Sequence, residues 1–109
     1  IANKMCRHLG EAGFEIINAA TFAEDRDSVV GIITPNSILA AIETLVTQSS
    51  DLQAIFVSCT SLKCASIIPI AEKKFGVPIL SSNSALAWDM ALLSEAVVSK
   101  KNKGALFEI

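Results

Sequence analysis

Glycine and proline are scarce, five and three among 109 residues, while 51% of the chain is apolar. That balance excludes a disordered or linker-rich polymer and leaves enough apolar surface for one core, hence one globular domain. A basic stripe is missing: the formal charge is −2, and the one lysine cluster, Lys100, Lys101 and Lys103, is a short run near the end. Nucleic acid is therefore not an expected partner. Long apolar runs are missing too, since Ala54 to Val57 and Ile67 to Ala71 fall far below the roughly 20 residues that cross a bilayer. With no charged n-region ahead of an apolar h-region, a soluble, cytoplasmic protein without a membrane partner is expected. Cys6, Cys59 and Cys64 are odd in number and form no CxxC pair, which fits neither a disulfide framework nor a structural zinc site and predicts reduced thiols. The single histidine, His8, has no second His to join it as a metal ligand. No GxGxxG, P-loop or metal-ligand cluster appears, so no cofactor and no metal are expected.

What the chain does have is an alternation of helical and extended patterns. Met5, Leu9 and Ala12 fall at helical spacing, and Gly13 suits the positive φ of a helix C-terminus. Phe14 to Ala19 (FEIINA) is short and Ile-rich and predicts a strand; Val29 to Ile33 fits either a strand or an apolar loop. Thr34 followed by Pro35 is a helix start, because the hydroxyl caps free N–H groups and Pro lacks the donor that the first helical position would leave unused. Ile38, Ile42, Leu45 and Val46 form the core stripe of that helix. Ala54 to Ser58 (AIFVS) predicts a buried strand. Ser66 is the expected cap of the next helix, which carries Pro69 in its first turn and ends at Gly76 after Lys73 and Lys74. Pro78 to Ser82 (PILSS) predicts another strand, and Asn83 or Ser84 the cap of a last helix that buries Leu86, Met90, Leu93 and Val97. The expected class is α/β: a three-layer αβα domain with a parallel, doubly wound sheet.

In such a sheet, ligands bind beyond the carboxyl ends of the strands. Two loops lie there. Ser58-Cys59-Thr60-Ser61 carries a thiol, hydroxyls and unclaimed backbone N–H groups, and a thiolate there gains from the positive end of a following helix. The plain alternative is that Cys59 is a small buried apolar residue, as free cysteines often are; Cys64 and Cys6 fit that description better. Ser81-Ser82-Asn83-Ser84 ends the next strand, where capping explains one or two of the polar side chains and the others are free to line a site. Glu11, Glu43, Glu72 and Glu95 fall on polar helix faces, where solubility accounts for them. Trp88 reads as a core or interface anchor.

Residues 56–92, FVSCTSLKCASIIPIAEKKFGVPILSSNSALAWDMAL, resemble the second signature of the aspartate/glutamate racemase superfamily: a strand ending in Ser-Cys-Thr, a Leu-Lys pair, an acidic helix residue, Gly-x-Pro, a Ser-Ser-Asn strand end and an Ala-x-Trp helix. The likeness is greatest to its branch of maleate cis-trans isomerases, arylmalonate decarboxylases and ectoine-degradation racemase-like proteins. GFEIINA and VGIITPNSILAA fit more loosely, and the closing GALFEI resembles the Gly-x-Leu-Phe tail of these enzymes. The resemblance implies two similar α/β domains, each giving one loop to a shared site, with residues 1–109 forming the C-terminal domain. The N-terminal domain, its cysteine and a Thr-Pro-Tyr stretch are expected upstream of Ile1; the chain contains no Tyr.

On that basis Cys59 is the expected catalytic residue, and Thr60, Ser61 and Asn83 the expected substrate-binding residues. The implied activity is a cofactor-independent isomerase or racemase acting on a small carboxylate or amino acid. An arylmalonate-type decarboxylase with Cys59 as proton donor is the first alternative, and a non-catalytic carboxylate-binding module the second. Each enzyme reading must stabilise an enediolate-like charge in a water-poor pocket, for which backbone N–H groups, Thr60 and Asn83 are the candidate donors. The chain alone would hold half a site and is expected to be inactive; a homodimer accords with a family whose members often dimerise.

Overall fold

The computed structural model describes residues 2–109. Helix α1 (Ala2–Glu11) is followed by an extended stretch, the single-turn helix α2 (Asp27–Val30), helix α3 (Pro35–Thr47), strand β1 (Ile55–Val57), helix α4 (Ile68–Phe75), strand β2 (Ile79–Ser81), helix α5 (Ser82–Leu93) and a closing 3-10 turn (Ala105–Glu108). β1 and β2 are parallel, in the register Ile55–Ile79, Phe56–Leu80 and Val57–Ser81. The α/β class with a parallel sheet holds. Among the described residues the sheet has two strands, short of the broader doubly wound sheet expected.

Local chemistry explains most element ends. Thr34 Oγ1 accepts the Ser37 N–H at 3.1 Å, and Pro35 opens α3, as cap chemistry requires. Gly76 closes α4 in the left-handed region at φ 72°, where a side chain would be strained, and its N–H reaches the Glu72 carbonyl at 2.8 Å. α4 begins otherwise than expected: Ser66 caps nothing, and the first turn forms from Ile67 and Ile68, whose N–H groups both go to the Cys64 carbonyl at 3.1 and 3.2 Å. Residues 29–33 are neither strand nor plain loop. Asp27–Val30 coil into α2 because the Arg26 carbonyl accepts the N–H groups of both Val29 and Val30.

The core lies where α3 and α4 meet one face of the sheet. Ile38 and Ile42 from α3, Ile68 and Ala71 from α4, and the register partners Ile55 and Ile79 are buried together with Val30, Leu62, Cys64 and Ile67. Paired residues of a parallel sheet share a face, so Phe56 and Leu80 point the other way, and Phe56 is exposed. β1 is therefore buried on one face only, where burial on both was expected.

Two further expectations fail in the same manner. Phe14–Ala19 forms no strand, and Phe14, at 64% accessible, is exposed together with Ile16 and Ile17. A strand exists only by pairing; among the described residues the side-chain tie from this stretch to another part of the chain is Asn18 Nδ2 to Ser49 Oγ, 3.2 Å, ahead of β1. The stripe Leu86, Met90, Leu93 on α5 is likewise bare, with Leu93 79% accessible. Val97 falls outside the helix, which ends at Leu93 when Ser94 Oγ turns back to the Met90 carbonyl at 2.7 Å. The helical spacing holds through Leu93, but nothing among the described residues covers the stripe.

The contrast predicts a graded response to truncation. Ile79→Ala removes a fully buried side chain and should lower unfolding free energy by about 2–5 kcal/mol, whereas Leu93→Ala should stay within about 0.5 kcal/mol. Urea unfolding of the two variants measures both.

Candidate active site

β1 and β2 run side by side in the same direction, so their carboxyl ends deliver the Cys59 loop and the first turn of α5 to one edge of the molecule. Two hydrogen bonds lock the loop to that turn. The Cys59 N–H donates to Ser82 Oγ at 3.1 Å, and Asn83 Nδ2 donates to the Thr60 carbonyl at 2.9 Å. Cys59, Thr60 and Asn83 are thus brought together as the sequence predicts, with Ser61 next along the loop. One hydrogen of the Asn83 amide is occupied in holding the loops; the second is available to a ligand.

The helix cap is not Asn83 or Ser84. Ser81, 2% accessible, accepts the Ser84 N–H at 3.0 Å while Ser84 Oγ accepts the Ser81 N–H at 2.8 Å, a reciprocal capping box. The division of labour among the four residues follows. Ser81 and Ser84 satisfy the helix start, Ser82 and Asn83 hold the Cys59 loop, and the first-turn N–H groups of Ser82 and Asn83 are left over by helix geometry. Among the described residues, the backbone N–H groups of Thr60 and Ser61 likewise meet no acceptor. The edge therefore collects N–H donors from two directions beside one thiol, an arrangement suited to a carboxylate.

Cys59 has φ 108°, in the region that favours glycine and strains any side chain. The strain is held by the bond to Ser82 on one side and by the Leu62 N–H, which returns to the Cys59 carbonyl at 3.2 Å, on the other. Its side chain is half-buried and packs against the core, whereas Cys64 is fully buried within it, a packing residue as its sequence position implied. Cys6 is half-buried on α1. Among the described residues no three His, Cys, Asp or Glu side chains converge as metal ligands would.

Sequence reasoning missed two neighbours. The turn after α2 flanks the loop: a Cβ on Gly31 would stand 4.0 Å from the Ser61 carbonyl oxygen. Glu72, assigned to solubility, accepts the Ile79 N–H at the start of β2 at 2.9 Å. Two concavities of the described residues lie elsewhere, one between α4 and the C-terminal turn and one on α1, and neither is lined by Cys59.

A family model described as arylmalonate decarboxylase matches residues 1–107. The chain belongs to the arylmalonate decarboxylase family. Family membership is joined by a similarity to a maleate isomerase from Nocardia farcinica (strain IFM 10152), 26% identical over 107 residues, which takes in 97% of this chain and 42% of that enzyme. Among solved structures, arylmalonate decarboxylase superposes with a TM-score of 0.85 at 20% identity, over 97% of this chain and 47% of that one. The unliganded form of arylmalonate decarboxylase gives 0.84 at the same identity. At that identity the likeness establishes the fold. This family member thus spans a little under half the length of the relatives it matches. No helix among the described residues is long and apolar enough to cross a membrane.

Backbone strain at the thiol gives a direct test. Cys59→Gly and Cys59→Ala both delete sulfur, but only glycine relaxes at φ 108°. Cys59→Gly should be the more stable of the two by about 1 kcal/mol, read from paired denaturant titrations; equal midpoints would show the loop unstrained.

Proposed function

We propose that this chain supplies one half of the active site of a cofactor-independent enzyme that works on the carbon beside a small carboxylate, with Cys59 as the reacting thiol. The observation that carries the reading is the Cys59 edge itself: a strained strand-end cysteine, fastened to the first turn of α5 and bordered by N–H groups without acceptors. The family model and the maleate isomerase relative support an isomerase or decarboxylase.

Isomerisation of a cis dicarboxylate is the first reading. The Cys59 thiolate adds to one carbon of the double bond, and the electron pair moves toward the adjacent carboxylate, where an enediolate-like charge develops. Rotation about the new single bond and expulsion of the thiolate return the double bond in the trans form. The thiolate is regenerated and the trans isomer is released, with no net proton or electron transfer. The Thr60 and Ser61 N–H groups and the free hydrogen of Asn83 are the donors placed to hold the developing charge, and fixed donors in a water-poor site need no reorganisation as it forms. Racemisation beside a carboxylate uses the same edge, with Cys59 moving a proton opposite a second group from the other half of the site.

Decarboxylation is the second reading, favoured by the description of the matching family. Loss of CO2 from a malonate leaves the bonding pair on the remaining carboxylate as the same enediolate, the Cys59 thiol delivers a proton to the carbon, and the thiolate left behind takes a proton from water to close the cycle. Both readings place the complementary half of the site outside residues 1–109, in line with the share of its relatives that the chain spans. They also make this the C-terminal domain of the whole enzyme, inactive alone.

In the full-length protein, Cys59→Ala should lower turnover of maleate or of an arylmalonate by about 10²–10⁴-fold, with the substrate that responds separating the two readings. Retained turnover in that variant removes Cys59 from the chemistry. Carboxylate binding without turnover of either substrate identifies a binding module instead.

A further inference from the structure

The turn between α4 and β2 is bridged by one side chain. Glu72 sits in the last turns of α4, where its backbone carbonyl accepts the Gly76 N–H that closes the helix. Its carboxylate reaches past that turn: Oε1 accepts the Ile79 N–H at 2.9 Å, and the two oxygens share the Ala105 N–H at 3.2 and 3.0 Å. The carboxylate thus joins the end of one helix, the first residue of the strand that follows, and a segment 33 residues further on. Carboxylate hydrogen bonds to backbone N–H groups are about twice as strong as neutral ones, and here they fix backbone rather than mobile side chains.

The distant segment is shaped to be held. Gly104 has φ 91°, and a Cβ there would lie 2.8 Å from Ile68 Cγ2 and 3.1 and 3.2 Å from the two Glu72 oxygens. Only glycine lets the chain come this close, and the Ala105–Glu108 turn then lies against both β2 and α5. β2 is three residues long, so its first residue is hardly separated from Ser82 and Asn83, which grip the Cys59 loop at the other end.

We propose that Glu72 is a positioning residue: it clamps the C-terminal strap, residues 104–108, to the start of β2 and through that strand sets Ser82 and Asn83 against the Cys59 loop. The proposal rests on the function above only in treating that loop as the site; its readouts require no turnover. In the full-length protein, Glu72→Gln keeps the side-chain volume and one acceptor but turns an NH2 toward a backbone donor. Amide hydrogen exchange at Ile79 and Ala105 should accelerate by about tenfold, the loss of one hydrogen bond's net worth, and alkylation of Cys59 by iodoacetamide should change by roughly threefold or more as its loop is released. Glu43→Gln, which breaks only a surface pair with Lys74, should alter neither rate.

Unchanged exchange overturns the clamp, and faster exchange with unaltered Cys59 alkylation overturns the positioning role. Gly104→Ala provides the same two readings with the carboxylate intact, in case Glu72→Gln does not fold; unchanged rates there overturn the proposal equally. A Cys59→Ala enzyme that retains turnover would defeat the proposed chemistry while leaving the coupling measured by exchange and alkylation untouched.

Discussion

The register of two very short parallel strands is the constraint on which the remainder depends. Three residues on each side give few ladder bonds, and a two-stranded sheet of this size is marginal in water. Its register is held from outside. The buried pair Ile55 and Ile79 fixes which face looks inward, the Ile55 N–H meets the Pro78 carbonyl at 2.9 Å, and the Cys59–Ser82 bond closes the far end. Because side chains alternate faces, a slip of one residue would turn Ile79 to solvent and carry Ser82 away from Cys59. Core and site therefore stand or fall together.

The same economy appears in the serine-rich end of β2. Four adjacent polar residues look like a generous binding surface, yet the structure commits most of their side-chain groups internally. What is left for a ligand is chiefly backbone N–H groups. These are fixed by the fold and offer little freedom for tuning by substitution, so under the proposed function this edge supplies anchoring for a carboxylate rather than discrimination between carboxylates.

Features governed by local chemistry were legible in the sequence. Thr34-Pro35 announces a helix because a hydroxyl and a missing N–H are solutions to the same end problem, and Gly76 follows from the need for positive φ. The Cys59 edge was legible as well, since strand ends and polar loops leave a clear trace. What failed were statements about burial by distant partners. Phe14–Ala19 has the composition of a strand and the α5 stripe the spacing of a buried face, but composition and spacing show that a face seeks cover, not what provides it. Glu72 was misread for the opposite reason: helical position marks it as solvent-facing, whereas its acceptors' partners lie 7 and 33 residues away along the chain. Ser81 as the cap was hidden by the identity of its neighbours, any of which has the right oxygen.

A parallel sheet of two strands has two outer edges, and among the described residues neither is paired. Each presents a row of peptide groups at hydrogen-bonding spacing, next to exposed Phe56 on one side of the sheet. Natural sheets blunt such edges with charge, proline or a covering loop; β1, reading Ile-Phe-Val, carries none of these within its span. Such an edge is a template for strand-by-strand self-association, so colloidal stability depends on what covers it.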